Sequence, residues 1–192
     1  MSGIVSGLPE KLESQRLLIR RYSEGDGIAL FAFLERNNNR EFLFPNVEEV
    51  AIIKTIEEAE TKVQKHAAEW DSRKRFVLGI WDKKTNIYIG EIWIEPKIWG
   101  VPSFELGWFL GQEYLGKGFA TEAAQRSLEF LFHDLGAHKV IVITRDTNHP
   151  SIKLAERLGF KKEGHLREAR IEHGTRYGLV YYGLLKTEFT SS

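Results

Sequence analysis

The stretch GQEYLGKG (111–118) stands between FELGWFL (104–110), which alternates, and a segment from about Phe119 to Leu135 with helical spacing. Alternation signals a strand, and apolar residues three and four apart signal a helix. The chain must therefore pass from strand to helix through three glycines and a lysine. Gly118 and Ala120 lack bulk, so successive backbone N–H groups there can close around a pyrophosphate. The helix that begins at this point adds its positive end and its unpaired donors. Lys117 and Thr121 can contribute a charge and a hydroxyl.

Three uses of such a turn are open. Gly111 to Lys117 satisfies GxxxxGK, but a nucleotide P-loop needs Ser or Thr after the lysine to reach magnesium, and Gly118 stands there. VIVITRD also places Asp146 after an arginine, which is no obvious Walker-B position. A dinucleotide fingerprint fares worse, since Thr121 occupies the place of the third glycine or alanine. The turn could also be purely structural. The third use, a coenzyme A loop, rests on what the rest of the chain supplies.

At 192 residues the chain is long enough for one domain with a proper core. Lys plus Arg and Asp plus Glu number 27 each, so net charge offers no argument for a nucleic-acid partner. Cysteine is absent, which removes disulfides, thiolate metal sites and Cys nucleophiles. No apolar run approaches the roughly 20 residues that span a bilayer. The start, MSGIVSGLPEKLESQ, does not read as a signal peptide. The expectation is a cytoplasmic protein without a membrane partner.

Residues 1–13 read as a loose arm ahead of a single domain over 14–189. Gln15–Tyr22 is a short strand and Glu24–Arg36 a helix, and NNNREFLFPN (37–46) breaks it. Glu48–Arg73 reads as one long helix whose basic end, Arg73 to Arg75, suits the macrodipole. Strands follow at Phe76–Trp81, Ile87–Glu95 and Ser103–Leu110. In the last of these Phe104, Leu106, Trp108 and Leu110 share one face, and Glu105, Gly107 and Phe109 the other. The helix after the turn carries a stripe of Ala120, Ala124, Leu128, Leu131 and Leu135, and Gly136 stops it. Lys139–Arg145 reads as a strand covered on both faces. Pro150 opens a short helix capped by Asn148 or His149 and ended by Gly159. Closing strands lie near 161–169 and 176–185. The sum is a mixed α/β domain of six or seven strands and four helices.

Further stretches appear in a meaningful order. FELGWFL, LGKGFA (115–120), NHPSIKLAERLGFKKEG (148–164) and LVYYGLLKTEF (179–189) together resemble the motifs of the RimJ/RimL type of the GNAT superfamily of N-acetyltransferases. LGKGFA is similar to the Q/R-x-x-G-x-G/A loop of that superfamily, with Leu115 in place of Gln or Arg. With LESQRLLIRR the likeness spans most of residues 12–189. It implies a central, mostly antiparallel sheet containing a parallel pair, 104–110 and 139–145, splayed at its C-terminal ends. It also implies acetyl-CoA as cosubstrate, bound by Leu115, Gly116, Lys117, Gly118, Phe119, Ala120 and Thr121 at the diphosphate. Trp108, Phe109 and Leu110 would pair with the pantetheine arm, and Asn148 and Ser151 would reach the pantetheine and the sulfur. The implied acceptor is a primary amine, foremost a protein or peptide N-terminus, with a small amine as the alternative. A non-catalytic acyl-CoA-binding module is a further alternative. Relatives of this type are often dimers, so a homodimer is an expectation.

Direct attack of an amine on the thioester needs a free amine and help for the departing thiolate. An α-amino group costs about 1 kcal/mol to hold neutral at pH 7 and a lysine amine about 4.6 kcal/mol. Glu105 is the candidate base, through water, with an ion pair to a nearby Lys or Arg as its structural alternative. The tyrosine that many members use toward the thiolate would fall at Ala155, so Ser151 is the substitute, as a hydrogen-bond donor to sulfur. The glutamate that assists in some Rim-type enzymes would fall at Arg170, flanked by Glu168 and Glu172. None of the six histidines pairs with a Ser or Asp in sequence context, and no metal is expected. Phe42, Phe44, Trp93 and Trp99 could wall an amine pocket. The variable segments 37–46, 94–103 and 167–176 are expected to set specificity.

Overall fold

The structure is a computed structural model, and it describes residues 8–98 and 100–190. Trp99 lies outside the described residues. Among the described residues, eight strands form one mostly antiparallel sheet in the order β1-β2-β3-β4-β5-β6-β8-β7, with six α-helices, two more than expected. By internal contacts the chain divides into two compact units. Their described parts are 8–95 with 108–127, and 96–98 and 100–107 with 128–190.

In the first unit β1 (Lys11–Glu13) pairs with β2 (Leu17–Arg21), so the last residues of the expected arm are strand. In β2 the alternation Leu17, Ile19 is fully buried. β2 pairs with β3 (Phe76–Asp82), and β3 with β4 (Ile87–Ile98), all antiparallel. Trp81 pairs with Tyr88 but Ile80 with Gly90, so β4 carries one extra residue, Ile89. That bulge turns Tyr88 and Glu91 to one face, where strict alternation would separate them.

The helices of this unit cover that face. α1 (Gly27–Leu34) buries Leu30, Phe33 and Leu34. The segment 37–46, expected to break the chain, spends only Asn37 and Asn38 on left-handed turn geometry and then forms α2 (Asn39–Leu43). The single helix expected over Glu48–Arg73 is two, α3 (Glu48–Ala51) and α4 (Ile56–Asp71). Two contacts explain the break. The Arg40 guanidinium takes the carbonyls of Ala51 and Ile53, which an unbroken helix would need. Thr55, in extended geometry, caps α4 by accepting from Glu58 N–H at 3.1 Å. α4 then buries Ala59, Val63, His66 and Trp70 at helical spacing.

In the second unit the first residues of β5 (Ser103–Leu110) pair in parallel with β6 (Lys139–Arg145). The paired residues run from Ser103↔Lys139 to Glu105↔Ile141. β6 pairs antiparallel with β8 (Thr175–Leu185), and β8 with β7 (Lys161–Glu172). β6 alternates rather than being covered twice: Val140 and Val142 are buried, and Ile141 and Ile143 are half-buried. α5 (Phe119–Glu129), whose residues up to 127 belong to the first unit, passes into one wide turn at Phe130–Asp134 before Gly136, at φ +65°, ends it. α6 (His149–Arg157) is capped by Asn148, whose side chain accepts from Ser151 N–H at 3.3 Å. β7 and β8 run longer than expected and meet in a two-residue turn, His173 and Gly174, both at positive φ.

Candidate active site

The glycine turn lies wholly in the first unit. Phe109 and Leu110 at the end of β5 are buried, while Trp108 is half-buried. Gly111 N–H donates to Ile89 O at 2.9 Å. Gly90 beside it can carry no side chain, since a Cβ would collide with the Phe109 carbonyl. Asn39, fully buried, accepts from Gln112 N–H at 2.9 Å and donates to Phe33 O at 3.0 Å. Arg36 pairs with Glu113 at 2.7 Å. The start of the turn is thus tied down by two side chains from the α1–α2 region.

Its second half is open. Residues 115 to 118 are exposed, with Gly116 at φ +70° and Gly118 at φ +80°, conformations that only glycine adopts without strain. Glu122 N–H makes its helical bond to Gly118 O at 3.0 Å, so Phe119 and Ala120 head the helix with N–H groups ahead of the ladder. Small residues, positive φ and a helix start fit an anion such as a diphosphate. Leu115 is exposed and apolar, a departure that leaves the backbone donors in place.

A second layer, missed in the sequence, grips this turn from the β1–β2 connection. Arg16 Nε donates to Glu122 Oε2 at 2.6 Å, and Arg16 Nη1 to Lys117 O at 2.9 Å. The guanidinium also stacks over the Phe119 ring, 4.2 Å from its centroid. Arg16 N–H and the Ser14 hydroxyl both donate to Glu122 Oε1 at 2.7 Å. Partial burial works to raise the Glu122 carboxyl. The bonds from Arg16 N–H, Ser14 and the Arg16 guanidinium outweigh it and hold the group below the usual carboxylate range.

The remaining candidates belong to the second unit. Glu105 is paired with Lys97, Oε2 to Nζ at 2.7 Å, the contact that is its structural alternative. Ser151 is half-buried in the first turn of α6, and Ala155, where a tyrosine would stand, is fully buried. Arg170 is exposed, Glu168 pairs with Arg176 at 3.1 Å, and Glu172 pairs with Arg145. One histidine does find an aspartate: His165 Nε2 lies 2.9 Å from Asp146 Oδ2. The strand register joins residues 19 positions apart, and Gly178 leaves the room, since a Cβ there would strike both groups. Linear context could not reveal that pair.

Of the expected amine-pocket residues, the three described ones, Phe42, Phe44 and Trp93, do not line one common hollow. Phe44 lines an open hollow of about 600 Å³ with Glu35, Arg40, Glu41, Ala51, Ile52 and Lys54. Phe42 is exposed and outside that lining, and Trp93 packs against the first unit's core. Among the described residues, no group of three or more His, Asp or Glu could hold a metal ion. None of their helices is long and apolar enough to cross a membrane.

The first unit also buries a polar cluster unforeseen in sequence. Tyr22 Oη donates to Glu91 Oε2 at 2.8 Å and lies 2.8 Å from Tyr88 Oη. His66 Nε2 is 3.8 Å from Glu91 Oε2, and Glu69 lies 3.3 Å from His66 Nδ1. Burial pushes the Glu91 carboxyl up to about 7 and the His66 imidazole down to about 3.

The acetyltransferase (GNAT) domain model matches residues 16–161, and the chain belongs to that family. It is an N-acetyltransferase with acetyl-CoA as its acyl donor. It is 27% identical to the uncharacterized N-acetyltransferase YnaD of Bacillus subtilis, over 93% of this chain and 98% of that one. Spermidine N(1)-acetyltransferase of Vibrio cholerae is 30% identical over 92% of this chain and 96% of its own. The solved RimL, a ribosomal L7/L12 alpha-N-protein acetyltransferase in complex with coenzyme A, superposes with TM-score 0.81 at 18% identity. That match covers 93% of this chain and 97% of RimL.

Proposed function

We propose that this enzyme acetylates the α-amino group of a protein or peptide N-terminus. Backbone N–H groups of 116–120, with Lys117 and Thr121, hold the diphosphate, and Leu115 and Phe119 flank it. Trp108 to Leu110 and Asn148 take the pantetheine arm. Acetyl-CoA supplies an activated acetyl thioester. Ser151 donates a hydrogen bond to the sulfur, and Glu105 accepts the amine proton through water.

The observation that carries the choice of acceptor is the Lys97–Glu105 pair. Lys97 already holds one oxygen of the candidate base at 2.7 Å, which leaves less of the carboxylate to take a proton. An amine that costs about 1 kcal/mol to neutralise at pH 7 suits such a base better than one costing about 4.6 kcal/mol. The likeness to the RimJ/RimL type supports the same acceptor. A second reading, a polyamine acceptor, is favoured by the 30% identity to the spermidine enzyme. The test is thiol release from acetyl-CoA with three acceptors. These are peptides with free Ala or Ser N-termini, the same peptides N-blocked but with an internal lysine, and spermidine. Turnover on the free N-termini at least tenfold above the other two is expected. Turnover on spermidine alone selects the second reading.

A further inference from the structure

Glu122 presents an anomaly for an anion-binding turn. It places a carboxylate in the first turn of α5, at the helix end that the diphosphate is to use. Unmasked, that charge would compete for the helix end and repel a second anion. Arg16 meets it with a charge-assisted bond at 2.6 Å, and its backbone N–H and Ser14 hydroxyl occupy the other oxygen.

The same guanidinium sets a peptide plane. In a trans peptide the C=O and the following N–H point in opposite directions. Arg16 Nη1 holds the Lys117 carbonyl at 2.9 Å, which turns the Gly118 N–H away from Arg16. Phe119 under the guanidinium limits rotation of the arginine itself. Nη2 comes within 3.3 Å of where a Gly118 Cβ would be, so the arginine also closes that side of the turn.

We propose that Arg16 is the positioning residue of the coenzyme site, masking the Glu122 charge and fixing the Lys117–Gly118 peptide so that its N–H is presented to the diphosphate. This rests on the acetyl-CoA reading above. It also gives the chain a charged arginine at the turn where Leu115 departs from Gln or Arg.

The experiment compares wild type with Arg16→Gln, Glu122→Gln and the double variant. Calorimetry measures coenzyme A binding, and kinetics measure KM for acetyl-CoA and for acetyl-pantetheine, a donor without the diphosphate. Arg16→Gln is expected to weaken coenzyme A binding and raise KM for acetyl-CoA about tenfold or more, with kcat at saturation within about twofold. Glu122→Gln removes the repelling charge while keeping an acceptor for Arg16, so it is expected to bind coenzyme A at least as tightly as wild type. The double variant recovers at least half of the logarithmic loss. Acetyl-pantetheine kinetics are equal in all four proteins. Arg16→Lys keeps the charge but has a single donor nitrogen for Glu122 and the Lys117 carbonyl, so it is expected to lose less affinity than Arg16→Gln but clearly more than about threefold. It covers the case in which Arg16→Gln fails to fold, and wild-type affinity in Arg16→Lys would overturn the peptide-fixing role. Unchanged coenzyme A binding in Arg16→Gln overturns the proposal, as does a double variant as weak as the single, or an equal loss with acetyl-pantetheine. A wild-type protein that binds no coenzyme A overturns the donor-site reading itself.

Discussion

Glu122 and Glu91 belong to the same unit, and each meets a basic side chain and a hydroxyl, yet they are held in opposite states. Glu122 meets Arg16 and Ser14 where the arginine is 41% exposed, and stays ionised. Glu91 meets His66 and Tyr22 with almost no water, and burial drives it toward the neutral acid. The difference lies in the partner as much as in the depth. A guanidinium remains charged under all ordinary conditions, whereas the burial that neutralises Glu91 also pushes His66 down to about 3. A base that loses its own proton has no charge to lend.

The sharpest way to break this comparison is Glu91→Gln, which keeps an acceptor for Tyr22 and removes the ionisable group. The folded value of Glu91, about 7, lies above the 4.5 of an ordinary glutamate in water. Glu91 therefore contributes fully below pH 4.5, and that contribution is lost as pH rises through 7. At about 1.4 kcal/mol per unit, the variant is expected to be about 3 kcal/mol more stable than wild type at pH 8. The gain should vanish near pH 4, and urea unfolding at both pH values measures it. A constant difference across pH would show Glu91 ionised when folded.

A smaller effect is a slope. His66 has a folded value of about 3, below the 6.5 of an ordinary histidine in water, so its contribution is present above pH 6.5 and lost as pH falls toward 3. Between pH 4.5 and 6.5 the Glu91 and His66 contributions change in opposite directions and cancel. Wild type should be nearly flat there with respect to this pair. Glu91→Gln should gain stability with rising pH, and His66→Gln should lose it, each by about 1.4 kcal/mol per unit. Unfolding series at three pH values distinguish the slopes.

The smallest effect belongs to the open cluster. The Arg16–Glu122 pair is partly exposed, so Arg16→Gln is expected to cost under about 1 kcal/mol in urea unfolding while coenzyme A affinity falls tenfold. A stability loss of several kcal/mol would place this pair in the same class as the buried one.

What could be seen in advance follows from how local each signal is. The turn 111–118, the strand 103–110, the Asn148 cap and the Gly136 and Gly159 stops are set by residues within a few positions, and each stands where expected. The break between α3 and α4 depends on Arg40 reaching the carbonyls of Ala51 and Ile53, a contact between side chain and distant backbone that no periodicity records. Arg16 and Glu122 are 106 positions apart, and neither lies within the coenzyme motif's defined places. Glu91, in IYIGEIWI, looks like an ordinary polar alternation of a strand. Only the register of β4 against β3 shows which way it points.

That register hangs on Ile89. Were Ile89 drawn into regular pairing instead of being bulged out, every letter of β4 would be kept, yet Tyr88 would swing to the opposite side of the sheet from Glu91. The Tyr22 hydroxyl would then lose one of its two partners, and the interior of the unit would have to be rebuilt around the gap. Flattening the bulge is therefore expected to disturb this interior more than deleting Ile89 outright, since the deletion leaves Tyr88 and Glu91 two positions apart on one face of a regular strand.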